Sequence, residues 1–316
     1  VPPSPDHGPH GPIHLPAHAK LNLALSVGAP EGPKGYHPIA SWLVAIDLKD
    51  DVELRPLPEG TPSRHEVSWA PGAPRPGAID WPIEKDLGVR AHRLLERRAG
   101  RELPLAMSVR KRIPAGGGLG GGSADAAAVL LGVNMLFELG LSMEELAGLS
   151  AELGSDVAFF VDEMPPRPAL VTGLGETVDR LPPIPGGGAA LLIVPPFGCP
   201  TGPVYGAFDR GLASRSGSAK ANAHRVRGLI AVAALGGGID GRELFNDLEG
   251  PACEVEPRLG EALRELRAAM GESAPVLLTG SGSTMFIPAA PEALPGLAAR
   301  ARAARPDCAA VACRLV

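Results

Sequence analysis

The sequence predicts an α+β protein built in two domains. Its 316 residues amount to two ordinary domains at roughly 150 residues each. Strand-like and helical periodicities both run through it, without the regular alternation of a parallel βαβ sheet. The pattern also changes near Pro165, where helical stretches give way to a new set of short strands. The 41 glycines and 35 prolines approach a low-complexity composition, but a hydrophobic content of 45% supplies the burial that disordered chains lack.

The elements follow in chain order. Residues 1–16 carry His7, His10 and His14 among prolines, and His18 follows at similar spacing. Pro9, Pro12 and Pro16 forbid the helix that would align these imidazoles on one face, so a flexible solvated arm is predicted rather than a metal site. LNLALSV from Leu21 reads as an apolar strand, and Ile39 to Leu48 as its hairpin partner across a Gly/Pro turn. The proline-rich stretch 56–82 reads as a surface excursion with a short strand near Val67 to Trp69. A helix is predicted over Asp86 to Ala99 and a strand over Leu105 to Val109. The Ala- and Leu-rich run ADAAAVLLGVNMLFEL is a strong helix former with Gly140 as its stop. Ser142 and Glu145 form a capping box for a further helix ended by Gly154, and Ser155 and Asp156 open the segment VAFFV. Beyond Pro165, strands are predicted at Ala169 to Thr172 and Ala189 to Val194, and helices at Ala219 to Ala234 and Pro257 to Met270. Residues 214–222 read as a mobile loop, and two short strands, Val276 to Leu278 and Met285 to Ile287, flank a second Gly/Ser turn at 279–284.

Composition also excludes function classes. No run approaches the ~18 apolar residues of a membrane span, and the first residues match neither a signal nor a transit peptide, so a cytoplasmic protein is expected. Cys199, Cys253, Cys308 and Cys313 show no C-x-x-C spacing, which disfavours zinc and disulfide frameworks. A net charge of −5 lacks the broad basic footprint of a nucleic-acid binder and points to a small anionic ligand.

The sharpest local signal is PAGGGLGGGSADAAA, residues 114–128. Glycines let backbone amides converge on a phosphate, and the following helix aims its N-terminal dipole at the same place. No Gly-Lys-Ser/Thr ends it, so it is not a Walker A loop, and a flexible linker is the alternative. An apolar helix directly after it favours phosphate. Ser123 fits either a helix cap or a Mg²⁺ ligand. Lys20 is one of only six lysines and heads an apolar strand. Taken singly, it reads as a strand-edge guard and Asp156 as a helix N-cap. Together beside a phosphate loop, an ammonium and a carboxylate supply what phosphoryl transfer to an alcohol needs.

The blocks AKLNLAL, GYHPIAS, PAGGGLGGGSADAAA, GSDVAFF, NDLE and LTGSGSTMF occur in that order between residues 17 and 290. This set resembles the GHMP small-molecule kinases, and within them the branch that phosphorylates a cytidine-diphosphate alcohol in non-mevalonate isoprenoid synthesis. The resemblance implies a ribosomal protein S5 domain 2-like N-terminal domain for ATP binding and catalysis, residues 17–166. It implies a ferredoxin-like C-terminal substrate domain, residues 167–316. Lys20 and Asp156 match the catalytic pair, with Asp156 the base for the C2 hydroxyl. Pro114, Gly116, Gly117, Gly118, Leu119, Gly120, Gly121, Gly122 and Ser123 match the ATP-binding loop, with Mg²⁺ near Ser123. Asp86 stands where the family commonly has an asparagine that touches adenine, and His18 stands where a proline usually precedes AKLN. Asn22 matches a substrate contact, Tyr36 and His37 match residues that hold the cytosine, and Thr201 and Tyr205 match the second half's contribution. Base-on-aromatic stacking there is worth about 1–3 kcal/mol per ring. The implied partner is the small-molecule cytidine-diphosphate substrate, with no nucleic acid or membrane, acting as a monomer or weak homodimer.

Three alternatives stay open on the residues. Another GHMP kinase, for homoserine, mevalonate or a sugar, would use GYH only as a turn. A non-catalytic nucleotide-binding relative would explain the altered Asp86. A dinucleotide-binding oxidoreductase fits least, because no strand end feeds the glycines.

Overall fold

The computed structural model describes residues 11–33, 35–213 and 221–316. The arm up to residue 10, with His7 and His10, and most of the 214–222 loop lie outside the described residues. The chain runs through β1 (Ile13–Val27), β2 (Ile39–Pro56), β3 (Arg64–Trp69), α1 (Leu87–Ala99), β4 (Leu105–Lys111), α2 (Gly121–Leu136), α3 (Met143–Ser150) and α4 (Val157–Phe160). It continues with β5 (Ala169–Gly173), β6 (Thr177–Arg180), β7 (Ala189–Val194), α5 (Thr201–Ala213), α6 (Ala223–Val232), β8 (Phe245–Asn246), α7 (Glu249–Val255), α8 (Pro257–Met270), β9 (Leu277–Leu278), β10 (Met285–Ala289), α9 (Leu294–Ala304) and β11 (Ala309–Arg314).

Two sheets organise these elements. The first has strand order β3-β4-β2-β1-β8, and β5 also pairs with β2 and carries β6. Strand β2 is long enough to hold β5 at its Ile39–Leu43 end and β4 at its Asp51–Pro56 end. The second sheet is the antiparallel array β11-β7-β10-β9. Strand β1 is buried on both faces from Ala17 to Val27. Its Ala17 packs in the core under α1 and α2, and Ala19, Leu21 and Leu23 pack toward Leu192 and Phe286 of the second sheet. Ala17 and Ala19 would share a face in a regular strand, so the register irregularity between His18 and Lys20 is what hands β1 from one core to the other and places it between the two halves.

Several elements differ from the sequence reading. Strand β1 begins at Ile13, because Ile13–Pro16 pair with Asp51–Leu54, so these residues are strand rather than arm. Strands β5 and β6 pair into the first sheet, so the pattern change at Pro165 precedes the second sheet, which starts only at Ala189. Helix α2 ends at Leu136 rather than near Gly140. Glu138 turns to positive φ, and the Asn134 side chain bonds both backbone groups of Leu141 and closes the turn early. Helices α5, α7 and α9 and strand β11 are elements that the sequence reading does not assign. The capping box of α3 is present as read, and α1 has Asp86 as its N-cap.

His18, His65 and His92 are structural. His18 is 7% exposed and its Nδ1 meets the Ile46 carbonyl at 2.8 Å. His92 bonds the Leu103 carbonyl through Nε2 and pairs with His65 through Nδ1. Burial holds all three below the ordinary histidine value of 6.5. Below pH 6.5 the unfolded chain therefore takes up protons that the folded chain refuses. Their stabilisation is complete above that pH and is lost as pH falls through it. Tm is expected to drop by a few degrees, on the order of the shift that ~1 kcal/mol produces, between pH 7.5 and 5.5. The drop should shrink in His65→Gln; an equal drop in that variant would contradict the assignment.

Candidate active site

The hairpin β1–β2 aims the central residues. Its register slips between His18 and Lys20 and again between Asn22 and Ala24, so Lys20, Leu21 and Asn22 form a short paired stretch against Ala45, Val44 and Leu43, set off by an irregularity at each end. Lys20 is 3% exposed and flanked by β2, so it guards no sheet edge. Its ammonium donates to Asn22 Oδ1 at 2.5 Å and lies 3.5 Å from Asp156 Oδ2. Asp156 occupies the N-cap position of α4, yet its side chain caps nothing. The carboxylate is 38% exposed and open to a ligand on the side away from Lys20. Residues 136 positions apart thus meet as an ion pair, and the strand-edge and capping alternatives fall away.

Asn22 supports that ammonium. Its Nδ2 donates to Ser41 Oγ at 2.9 Å, and Ser41 Oγ donates to the Ala24 carbonyl, so the amide is oriented with its oxygen toward Lys20. The Asn22 backbone N–H donates to Thr279 Oγ1 at 3.0 Å, which ties β1 to the second Gly/Ser turn. The second Nδ2 hydrogen has no partner among the described residues.

The Gly-rich loop closes over the same point. Gly116, Gly118 and Gly120 adopt positive φ, an alternation that curls successive amides toward one side. At Gly118 the need is steric as well, because a Cβ would stand 2.4 Å from the Thr279 carbonyl. The loop is bonded on both flanks, with the Lys20 N–H on the Leu119 carbonyl at 2.9 Å and the Thr284 N–H on the Gly117 carbonyl at 3.2 Å. A Cβ at Gly280 would approach Lys20 Nζ to 3.4 Å. Lys20, the glycine loop and the 279–284 turn are therefore one assembly drawn from both halves.

A cavity of about 260 Å³ opens beside this loop. It is lined by Pro114, Gly116, Gly117, Leu119, Gly120, Gly121 and Gly122 together with Trp81, Lys85, Asp86 and Leu87. Gly118 and Ser123 do not line it. Gly118 faces the 279–284 turn, and Ser123 sits half-buried in the first turn of α2 with no side-chain hydrogen bond among the described residues. Asp86 accepts from the Gly88 N–H at 2.9 Å and from Trp81 Nε1 at 3.2 Å, so its carboxylate is committed to capping α1 and to fixing the indole at the cavity wall.

The residues expected to meet the substrate cluster on β2's approach and on α5. His37 packs its ring 4.8 Å from Tyr205 and 5.9 Å from Phe208. Tyr36 stands 54% exposed beside it, where Glu31 and Tyr36 bridge. Burial and the Asp156 carboxylate push the Tyr205 hydroxyl up to about 12, which places this ring within electrostatic reach of the ion pair. Thr201 Oγ1 lies 3.1 Å from Ser281 Oγ, joining the start of α5 to the Gly/Ser turn.

Sequence reasoning missed a buried charge cluster. Lys111 at the end of β4 donates to Asp50 of β2 and, at 2.5 Å, to Asp125 of α2. Asp50 also accepts from the backbone N–H groups of Arg112 and Ile113, where the chain leaves β4 for the loop. A Cβ at Gly121 would stand 3.4 Å from the Lys111 ammonium, so the cluster underlies the first turn of α2. Burial opposes the charge on Lys111, but the two carboxylates outweigh it and raise its pKa. Asp125 is pushed up to about 7 by burial, against the pull of Lys111, and its Oδ1 is buried without a partner. The one available signal was an acid, Asp125, inside an otherwise apolar helix.

Comparisons with known proteins agree with this geometry. The family model for the GHMP kinases N terminal domain matches residues 86–163, the stretch that holds α1, the glycine loop and Asp156. The 4-diphosphocytidyl-2-C-methyl-D-erythritol kinase of Caulobacter vibrioides (strain NA1000 / CB15N) is 36% identical over 95% of this chain and 98% of its own. The protein of the same name from Pelotomaculum thermopropionicum is 36% identical over 85% of this chain and 86% of its own. A crystal structure of 4-(cytidine 5'-diphospho)-2C-methyl-D-erythritol kinase superposes with a TM-score of 0.70 at 30% identity, covering 96% of this chain and 99% of that one. Homoserine kinase from Cytophaga hutchinsonii, at 18% identity and a TM-score of 0.66, shares the fold. The architecture is the two-domain α+β GHMP fold, and the enzyme is an ATP-using small-molecule kinase. With relatives this similar along nearly its whole length, the chain belongs to the 4-diphosphocytidyl-2-C-methyl-D-erythritol kinase family of the GHMP kinases.

Proposed function

We propose that this enzyme transfers the γ-phosphoryl group of ATP to the C2 hydroxyl of 4-diphosphocytidyl-2-C-methyl-D-erythritol, a step of non-mevalonate isoprenoid precursor synthesis in the cytoplasm. The observation that carries the reading is the Lys20–Asp156 pair, 3.5 Å apart, at the seam between the glycine loop and the Gly/Ser turn. Asp156 accepts the C2 hydroxyl proton as that oxygen attacks the γ-phosphorus and the bond to the β–γ bridging oxygen breaks, releasing ADP. Lys20, steered by Asn22, offsets charge on the transferring group. Because the hydroxyl is tertiary, positioning dominates the barrier, and both domains contribute to it.

The glycine loop amides and the N-terminus of α2 receive the ATP phosphates, with the cavity at Trp81, Asp86 and Leu87 taking the adenosine. Asp86 can accept from the adenine amino group but cannot donate, unlike the amide common in the family. The donor set suits Mg²⁺, which prefers phosphate and water ligands with few protein groups. Ser123 offers an unengaged hydroxyl in the first turn of α2. Ser123 would hold the ion, which when bound neutralises the phosphate charge. Tyr36, His37 and Tyr205 hold the cytosine, and Thr201 helps to orient the substrate chain.

The test is ADP release with ATP·Mg and the cytidine diphospho-methylerythritol substrate. Release is expected with cytidine and lost with its uridine counterpart. Equal turnover of both, or turnover of homoserine or mevalonate instead, would overturn the reading.

A further inference from the structure

His37 Nε2 lies 2.8 Å from Asp209 Oδ1 on α5. A carboxylate only accepts, so this contact puts a proton on Nε2. In a neutral imidazole the proton then leaves Nδ1 with its lone pair, and Nδ1 makes no hydrogen bond among the described residues. The ring cannot readily turn over, because its side chain is 8% exposed and wedged against Tyr205 and Phe208. Asp209 itself is 41% exposed, and this contact is the hydrogen bond it makes among the described residues. Cytosine presents an N4 amino donor where uracil presents the O4 acceptor.

We propose that Asp209 is a positioning residue that selects the base, holding His37 as an acceptor at Nδ1 so that the pocket takes a 4-amino pyrimidine and refuses a 4-oxo one. The inference rests on the functional reading above, which places His37 against the cytosine. A wrong tautomer would set N–H against N–H on cytosine and would accommodate uracil, so discrimination depends on Asp209 although it touches no substrate atom.

The experiment compares kcat/KM for the cytidine substrate and its uridine counterpart in wild type, Asp209→Ala and Asp209→Glu, with Tm recorded for each. Asp209→Ala is expected to lower the cytidine-to-uridine ratio about tenfold or more, as for loss of a hydrogen bond to a charged group, mainly through KM for the cytidine substrate. Asp209→Glu, which restores an acceptor, should recover part of the ratio. An unchanged ratio in Asp209→Ala overturns the proposal whatever happens to KM or Tm. A second measurement is free of folding or turnover effects: ¹⁵N-detected imidazole correlations, with His37 assigned by the signals lost in His37→Gln, should show Nε2–H in wild type. An Nδ1–H ring there also overturns it. If wild type turns over neither nucleotide, the functional reading has failed instead.

Discussion

Asp156→Asn is expected to lower kcat by about 10²–10⁴-fold, the range for loss of a positioned general base, while nucleotide affinity changes little. The reason is geometric. The carboxylate contacts Lys20 from the N-cap of α4 and takes no part in capping, so its replacement by an amide removes a proton acceptor without unwinding a helix. The amide keeps the shape and can still face the ammonium. Loss of kcat with little change in KM for ATP marks a group that acts in the transition state. Single-turnover kinetics alongside nucleotide titration separate the two effects. A kcat within about threefold of wild type would remove Asp156 from the chemistry.

Lys111→Met is expected to cost about 3–5 kcal/mol of stability, because it strands two buried carboxylates, Asp50 and Asp125, without their shared cation. For a chain of this size that corresponds to roughly 10 °C in Tm. The loss should be largely recovered in the triple variant Lys111→Met, Asp50→Asn, Asp125→Asn, where no buried charge is left uncompensated, although Asn at position 50 still has to accept from the Arg112 and Ile113 amides. Thermal melts of the three proteins check this. A single variant that melts with wild type would show the cluster to be energetically idle. A triple variant as unstable as the single one would assign the loss to packing rather than charge.

The sequence and the structure agree best where the signal is local. The capping box at Ser142 and Glu145, the run Ala189–Val194 and the helix Pro257–Met270 each carry their own punctuation, and each forms as read. Strand β5 does not reveal from its own residues that it joins β2 and brings β6 into the first sheet, because its pairing is settled by a partner over a hundred positions earlier. The candidate site divides in the same way. The glycine loop is legible through its backbone chemistry alone. Lys20 and Asp156 gain meaning only as a pair, since each alone has an ordinary structural explanation, and the ordered motifs supply the pairing. The Lys111 cluster and Asp209 stayed hidden because their partners sit on separate elements, 61 positions apart for Lys111 and Asp50 and 172 for His37 and Asp209. Neither spacing leaves a periodic trace.

The domain seam explains why the site has so many glycines. Gly117 and Gly118 lie against Thr284 and Thr279, so the phosphate loop is pressed onto the second half rather than hung from the first. Lys20, on the strand buried between the halves, inherits contacts from both. On the proposed reading, phosphoryl transfer at this seam would place ATP and alcohol on structures that share one framework, which favours a fixed reacting geometry over independent domain motion.

Whether Lys20 and Asp156 act as one unit is tested most directly by a double-mutant cycle on kcat, using Lys20→Met, Asp156→Asn and the combined variant with the cytidine substrate. Two groups serving one step are expected to lose little more together than the worse single variant loses alone. Losses that multiply, as for independent sites, would contradict a shared role at the phosphoryl transfer.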